Sequence, residues 1–162
     1  MGAYLDYNAS TPVDERVLEK MTDIYRNHFG NADSRTHRFG SDAKSIVEDA
    51  RMKVARLLGT ADEFVFFTSG STESNNMAVL GLEEYGKRHI VTTAIEHKSI
   101  LEPCRHLEKK GFEIEYVLPH EDGRVHAEDV VGRVRPDTLL VSVMHVNNET
   151  GTIQPVEEIG KA

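Results

Sequence analysis

The stretch that most constrains the fold runs from Phe64 to Met77 and reads FVFFTSGSTESNNM. It opens with the apolar run Phe64–Phe67, which is short and sharply bounded and therefore predicts a buried strand. A hydroxyl-rich bend follows, and apolar residues then recur at mostly helical spacing, so the bend predicts a helix start. Because a helix start presents unpaired N–H groups and the positive end of the helix dipole, we expect a phosphate to bind there.

Two details of the bend affect this expectation. Gly70 would let a ligand approach the backbone closely, and Ser71 and Thr72 supply hydroxyl groups. Glu73 lies in the first turn, where its carboxylate would repel a phosphate unless the side chain points away. An ordinary capped helix after a strand explains the same residues, so the motif alone leaves both interpretations open.

Elsewhere the chain alternates helical and strand patterns. Helices are predicted from about Pro12 to Gly30, from Phe39 to Leu58 with Gly59 as its stop, from Lys98 to Lys110, over His126–Val134 and from Pro155 onward. Strands are predicted at His89–Thr93, Phe112–Leu118 and Thr138–Met144, the second of them at a sheet edge because it alternates apolar and acidic residues. The alternation predicts an α/β fold, a three-layer sandwich with a mainly parallel sheet.

This architecture directs attention to the loops that follow the strands, because ligands of open α/β sheets bind beyond the carboxyl ends of the strands. Three such loops carry polar groups: Ser69–Thr72, Glu96–Lys98 and His145–Glu149. Together they offer N–H groups, hydroxyls, a flat imidazole and carboxamides, which suit a planar phosphorylated ligand better than a metal ion. Taken singly, His97 and the asparagine pair are better explained as helix caps or surface groups than as ligand-binding residues.

Composition excludes several classes of function. The 162 residues are enough for one domain with a core, and a formal charge of −8 with mixed signs argues against nucleic-acid or anionic-membrane partners. No segment is apolar enough to span a membrane and no signal peptide is evident, which predicts a cytoplasmic protein. The single cysteine, Cys104, excludes an internal disulfide and is predicted to be a half-buried thiol rather than a nucleophile.

The histidines do not predict a metal site. None of the eight belongs to a His-Glu-x-x-His pair or to a carboxylate spacing that is typical of zinc sites. Five of them are expected to be solvated or capping groups: His28, His89, His106, His120 and His126. The glycine-rich fingerprints of mononucleotide and dinucleotide sites are also absent from the sequence.

Five blocks carry a resemblance to a known family: YLDYNASTP, FGNADSRTHRFG, FTSGSTESNN, IEHKSIL and SVMHVNNETGTIQP. With them the chain resembles, from Tyr4 to Lys161, the N-terminal part of the cysteine desulfurases, which are pyridoxal 5'-phosphate enzymes of the class V aminotransferase family. The resemblance implies that residues 13–162 form an incomplete cofactor-binding large domain of the aminotransferase type I fold. Residues 1–12 would then be an N-terminal segment that packs with a small domain absent from this sequence.

The resemblance also implies roles for particular residues. Gly70, Ser71 and Thr72 would hold the cofactor phosphate, and His97 would stack on the pyridine ring as a catalytic residue. Asn148 would lie near the phenolic oxygen of the cofactor and the substrate carboxylate. A loop with Asn31, Ser34 and His37 would border the active site, with Asn31 binding substrate. Ala32-Asp33 stands where the family has Asn-Pro, which is expected to loosen this loop.

The implied reaction converts L-cysteine to L-alanine and passes the sulfur as a persulfide to a sulfur-acceptor protein, by means of an enzyme cysteine. Family resemblance further implies a homodimer. The cofactor-binding Lys, the persulfide-carrying Cys and the small domain are expected after Ala162, and no matching motif occurs in this sequence. The chain is therefore predicted to be an N-terminal part that is inactive alone and needs the remaining C-terminal part.

Two alternatives stay open at this point. The chain could derive from a selenocysteine lyase or another class V enzyme, or it could be a non-catalytic binding or assembly module that kept the fold. Nor do these residues determine whether the sulfur would serve iron–sulfur cluster assembly, tRNA thiolation or DNA modification.

Overall fold

The structure is a computed structural model that describes residues 2–7 and 9–162. The chain divides into two compact units, residues 1–67 and residues 68–162. The predicted division into residues 1–12 and 13–162, part of which falls on residues 1 and 8 outside the described ranges, stays a prediction.

Two long helices make up most of the first unit. Helix α1 spans Glu15–Asn27 and begins at Asp14, whose carboxylate accepts the backbone N–H of Arg16 at 2.9 Å. Helix α2 spans Arg38–Leu58 and ends at Gly59, whose left-handed φ of 66° is the conformation that glycine adopts without strain. Both helices lie where helical periodicity predicted them.

The predicted strand Phe64–Phe67 is wrong. A short 3₁₀ turn covers Asp62–Phe64, and Val65 after it has an extended backbone, but in the described part of the chain this segment pairs with no strand. The carbonyl oxygen of Val65 instead accepts the guanidinium of Arg51, which also stacks over the ring of Phe67. Val65 is buried but Phe66 is 70% exposed, so this segment is buried on one side only and lacks the ladder hydrogen bonds of a sheet strand.

The second unit begins with helix α3, Ser71–Leu80, and contains a three-stranded sheet. The other elements, in chain order, are β1 (His89–Thr93), α4 (Lys98–Glu108), β2 (Glu113–Val117), α5 (Ala127–Val131), β3 (Thr138–Ser142) and α6 (Val156–Lys161). The strand order is β2-β1-β3, and β1 pairs in parallel with both neighbours. The parallel sheet and the edge position of β2 are therefore confirmed.

Helices cover both faces of this sheet. Because successive side chains of a strand point to opposite faces, Ile90 and Val91 of β1 belong to different clusters. Ile90 packs with residues of α3 and α4, including Val79 and Leu107, whereas Val91 packs with Val130 of α5. The three-layer α/β sandwich predicted from the sequence is thus confirmed within the second unit.

His89 corrects one prediction. It is fully buried in the central strand rather than solvated, and its ring nitrogens lie 2.8 Å from Thr138 Oγ1 and 3.2 Å from Glu115 Oε1. Burial is possible because partners on both neighbouring strands satisfy the two nitrogens.

None of the helices in residues 2–7 and 9–162 has the length and apolar character needed to cross a bilayer.

Candidate functional site

Helix α3 starts without a side-chain cap. Its N-cap is Gly70, and the first intrahelical bond runs from the N–H of Ser74 to the carbonyl of Gly70 at 3.2 Å. The N–H groups of Ser71, Thr72 and Glu73 lie in the first turn, where no carbonyl precedes them in the helix. Gly70, Ser71 and Thr72 are exposed, and a Cβ added at Gly70 would meet no atom within 4 Å. This start is open to an anion.

The carboxylate of Glu73, in the first turn of α3, is engaged in hydrogen bonds. Its Oε2 accepts the backbone N–H of Ser69 at 2.6 Å and the Ser69 hydroxyl at 2.7 Å. These hydrogen bonds, the backbone one first, lower the pKa of Glu73 below its usual range. The side chain therefore folds back on the bend and fixes its shape, in the manner of a capping box.

His97 starts helix α4 and is held by its own helix. Its Nδ1 accepts the backbone N–H of Ser99 at 3.1 Å and lies 2.9 Å from the Ser99 hydroxyl. Since an N–H donor requires a lone pair on Nδ1, the proton of the neutral ring is on Nε2. The Ser99 hydroxyl in turn accepts from Asn75 Nδ2 of α3 at 2.7 Å, so both helices orient the exposed imidazole.

The two helix starts meet at one cavity. A groove of about 460 Å³ runs between α3 and α4 and is lined by Thr72, Asn76, Leu80, His97, Lys98, Ser99, Glu102, Pro103 and His106. Thr72 and His97 lie at the end where both helices begin. Lys98 adds a positive charge at the same end, which favours a phosphate. The structure thus brings together two of the predicted cofactor residues.

Glu96 connects the loop after β1 to the segment after β3. It is buried, and its Oε1 accepts the Thr93 hydroxyl at 2.9 Å and the backbone N–H of Met144 at 2.6 Å. Burial raises the pKa of Glu96, and the two hydrogen bonds only partly oppose that shift. The two loops are therefore tied together immediately before His97.

The adjacent asparagines of the third loop have different environments. Asn147 is buried, donates to the carbonyl of Ile95 at 3.2 Å and accepts the N–H groups of Glu149 and Thr150. Asn148 is exposed, and its amide bonds only to the Glu149 carboxylate, at 2.8 Å, among the described residues. Asn147 builds the loop and leaves Asn148 on its surface, although Asn148 is not among the residues that line the groove.

Asn31 lies in the first unit, in a loop with strong local order. Its Oδ1 accepts the N–H of Asp33 at 3.0 Å, and its carbonyl accepts the N–H of Ser34 at 3.0 Å. His37 ends the loop as the N-cap of α2, with Nδ1 accepting the N–H of Gly40 at 3.2 Å. The substrate role of Asn31 and the loosening expected from Ala32-Asp33 stay predictions.

Cys104 is not available as a nucleophile. Its side chain is fully buried in the core between α4 and the sheet, and burial raises the pKa of the thiol to about 11. The thiol therefore stays protonated near neutral pH, which removes the reactive thiolate form. Burial of the predicted thiol is confirmed and exceeds the half-buried position expected, and its unreactive character stays a prediction.

The structural roles of four residues were not predicted from the sequence. Ser99 and Asn75 orient His97, whereas Asn147 and Glu96, which lie in two of the predicted polar loops, anchor those loops. The helix-cap explanation of His97, which the sequence already offered, is confirmed, because its Nδ1 accepts the N–H of Ser99, the second helical residue. The Asn75–Ser99 contact joins residues 24 positions apart and carries no local sequence signal.

Known proteins resemble this chain throughout its length. The family profile described as Aminotransferase class-V matches residues 3–162. The cysteine desulfurase IscS of Rickettsia felis is 48% identical over 161 residues, a match that covers 98% of this chain and 39% of that protein. The chain therefore spans about two fifths of the length of such curated relatives.

Solved structures give the same result. A NifS-like protein superposes with a TM-score of 0.93 at 46% identity, covering 99% of this chain and 45% of its own. DndA from Streptomyces lividans superposes with a TM-score of 0.86 at 51% identity, covering 98% of this chain and 45% of its own.

Proposed function

Since the chain belongs to the class V aminotransferase family, we propose that it forms the cofactor-binding part of a cysteine desulfurase that uses pyridoxal 5'-phosphate. The relatives that it matches are named cysteine desulfurases. The observation that carries the proposal is the convergence of Thr72 and His97 on one groove, at two neighbouring helix starts.

The residues fit the chemistry of this cofactor. The open start of α3 offers N–H groups and the hydroxyls of Ser71 and Thr72 to a dianionic phosphate, and the dipole of a ten-residue helix favours that charge. His97 presents a flat ring whose orientation is fixed by Ser99, which suits stacking on a pyridine. When bound, the cofactor supplies an electron sink for cleavage of bonds at the substrate amino carbon.

The side chains of this chain would then bind and orient the cofactor and the substrate, and one of them would supply a proton. His97 Nε2 carries the proton of the neutral imidazole and can hold or deliver it at the reacting ligand. The exposed carboxamide of Asn148 would contact the cofactor ring and the substrate carboxylate, and Asn31 would contact the substrate. Neither Asn148 nor Asn31 is among the residues that line the groove between α3 and α4, so both contacts remain part of the proposal.

The overall reaction would transfer sulfur from L-cysteine to an acceptor thiol and leave L-alanine. The C–S bond of the substrate and the S–H bond of the acceptor break, an S–S bond forms between the substrate sulfur and the acceptor, which becomes a persulfide, and the released proton ends in the methyl group of alanine. Cys104 is not that acceptor because its thiol is buried and protonated. The acceptor thiol would therefore come from outside these 162 residues, and the absence of the family's lysine motif from this sequence supports the same source for the lysine that binds the cofactor covalently.

Association into a homodimer belongs to the same proposal. Several large apolar side chains of the first unit are exposed, among them Leu57 at 85% and Leu58 at 67%, and such surface favours burial against another chain or segment. The cytoplasmic location, the sulfur-acceptor protein and the pathway that it serves stay predictions.

The proposal is tested by binding before activity. We expect the chain to bind pyridoxal 5'-phosphate more tightly than pyridoxal, which lacks the phosphate, with both affinities measured by equilibrium dialysis and the ³¹P resonance followed for the phosphorylated ligand. Equal affinity for the two ligands would remove the phosphate site and with it the proposal.

Activity gives the second measurement. The chain alone, supplied with cofactor and L-cysteine, is expected to release no sulfide, whereas a longer protein that contains it should form alanine and persulfide in equal amounts. Sustained turnover by the 162 residues would contradict the assignment of the lysine and acceptor thiol to other parts of the protein.

A further inference from the structure

Three side chains with metal-binding atoms meet on the surface of the second unit, after strand β2. His120 Nε2 lies 2.7 Å from Asp129 Oδ2, and the ring of His126 stacks on that of His120 at a centroid distance of 3.7 Å. One ligand atom from each of the three residues lies within 4.8 Å of the other two. We propose that His120, His126 and Asp129 form a site for a divalent transition-metal ion.

The backbone that carries these residues is already fixed. The N–H of His120 bonds to the carbonyl of Arg124 at 2.7 Å, and the N–H of Gly123 bonds back to the carbonyl of His120 at 2.9 Å. Gly123 has a φ of 78°, which this tight turn requires. The turn thus places His120 beside the start of α5 through bonds that involve no ligand side chain.

A buried glutamine fastens the same turn to the core. Gln154 is 2% exposed, accepts the N–H of Val125 at 2.9 Å and donates to the carbonyl of Gly123 at 3.0 Å. Asp129 lies one helical turn beyond His126, since its N–H bonds to the His126 carbonyl at 3.2 Å. An ion binding here would have little backbone to order, which lowers the entropic cost of binding.

The donor set and the charge suit a borderline metal ion. Two imidazoles and one carboxylate are typical ligands of zinc, nickel and copper, with bonds of about 2.0–2.2 Å. Residues 120–129 also carry four carboxylates and one arginine, so the local field attracts cations. The neighbouring Arg133 is engaged by Glu115 at 3.3 Å and by the carbonyl of Asp129.

Binding would require a small side-chain movement. The stacked rings are nearly parallel, at 9°, so their in-plane lone pairs do not yet converge on one point. His126 is exposed and makes no side-chain cap bond at the start of α5, so its ring can turn toward His120 and Asp129. Water would complete the coordination, because the site is open to solvent.

A second cluster of metal-binding atoms in the described residues does not support the same inference. His89, Glu113 and Glu115 also approach one another, but His89 is fully buried and bonded to Thr138. Arg135 pairs with Glu113 at 2.8 Å, and Arg133 pairs with Glu115. These cations already occupy the carboxylates.

The test is direct metal binding by the untagged chain. Zn²⁺ is partitioned between the protein and a chromophoric chelator, and Co²⁺ is used to follow ligand-field absorption. We expect one tight ion per chain, and each of His120→Asn, His126→Asn and Asp129→Asn to weaken zinc affinity by at least about tenfold, since losing a ligand costs no less than losing a residue that orients one. His28→Asn, which removes a histidine of the first unit, is the matched control and should bind as the parent does.

The outcomes separate a built site from scattered surface binding. A similar loss in His28→Asn, or unchanged zinc affinity in His126→Asn, overturns the proposal. Circular dichroism checks that each variant folds, and the exposed position of His126 makes its substitution the deciding one if Asp129→Asn unfolds. In the parent chain we also expect zinc to raise the melting temperature, because the ion binds only the folded turn, and this shift should vanish in His126→Asn.

Discussion

The starts of α3 and α4 lie at one groove and differ in what their first N–H groups bond to. At α3 the N-cap is Gly70, which has no side chain to accept them. At α4 the N-cap is His97, whose own Nδ1 accepts the N–H of Ser99. The start of α3, which we call the open start, can bind an anion. The start of α4, which we call the closed start, uses an N–H group to orient an aromatic ring.

This difference explains how two similar local structures serve two tasks. A phosphate needs unpaired donors and positive potential, so a side-chain cap at α3 would compete with the ligand. A stacking ring needs a fixed plane, so the bond that removes a donor from α4 also limits the rotation of His97. Asn75 joins the two starts, because it donates from α3 to the Ser99 hydroxyl at 2.7 Å.

The largest effect is expected from closing the open start with a charged cap. Gly70→Asp would accept N–H groups of the first turn and place a carboxylate at the phosphate position, and a Cβ at residue 70 meets no atom within 4 Å. We expect pyridoxal 5'-phosphate affinity to fall about 100-fold, because two like unit charges about 5 Å apart near a protein surface repel each other by about 3 kcal/mol. Gly70→Asn is the matched neutral control and should lose less. Equal losses would show that the cap, not the charge, excludes the ligand.

A smaller effect on cofactor affinity is expected from replacing His97, which removes either its ring or the Nδ1 atom that caps α4. His97→Asn keeps a side chain that can cap α4 but loses the ring, and should weaken cofactor affinity about five- to tenfold through lost stacking. His97→Phe keeps a flat ring but loses Nδ1, and should bind better than the Asn variant while melting at a lower temperature. Dialysis and thermal melting measure the two properties. Equal cofactor affinities and equal melting temperatures in the two variants would contradict separate roles for the ring and for the Nδ1 cap.

Ser99→Ala tests the side-chain contact that joins the starts of α3 and α4. It removes the hydroxyl that Asn75 contacts but keeps the backbone N–H that binds His97. We expect a loss of about 1 kcal/mol in the free energy of unfolding, because a half-buried amide loses its acceptor. Nitrogen NMR should show the His97 proton on Nε2 in both proteins. A proton on Nδ1 in the parent chain would contradict the hydrogen-bond assignment.

The smallest effect concerns pH and Glu96, the residue before the closed start. Burial raises its pKa above the ordinary 4.5, so the folded protein retains this proton to a higher pH than the unfolded chain. Its contribution to stability is therefore fully present below the unfolded pKa and is lost as pH rises through the raised value. Glu96→Gln should flatten that decline in urea unfolding curves measured from pH 4 upward. A parent curve that rises over this range because of Glu96 would contradict the assigned direction.

Local patterns were enough to predict much of the second unit. The parallel strands, the edge position of β2 and the helix start at Ser71 follow from periodicity and capping residues within a few positions. The same is true of α2 and its stop at Gly59 in the first unit. These features depend on neighbours along the chain, so their signals are written in consecutive residues.

Phe64–Phe67 shows where such signals fail. Four apolar residues have strand character, but a strand also needs a partner to receive its backbone hydrogen bonds. Here Arg51 of α2 occupies the carbonyl of Val65 instead. The prediction for His89 was wrong for the opposite reason. A solvated side chain was expected, but two neighbouring strands provide polar partners that allow this histidine to be buried.

Consecutive residues were enough to predict most of the helices and strands, the hydroxyl-rich helix start and the histidine that begins α4, because spacing and caps act over one or two helical turns. The burial of one asparagine rather than its neighbour, the side chains that orient His97, and the meeting of His120, His126 and Asp129 came instead from the packed fold. Those outcomes depend on contacts that close loops of varied length, and the geometry of closure is set by the packed core rather than by any adjacent residue.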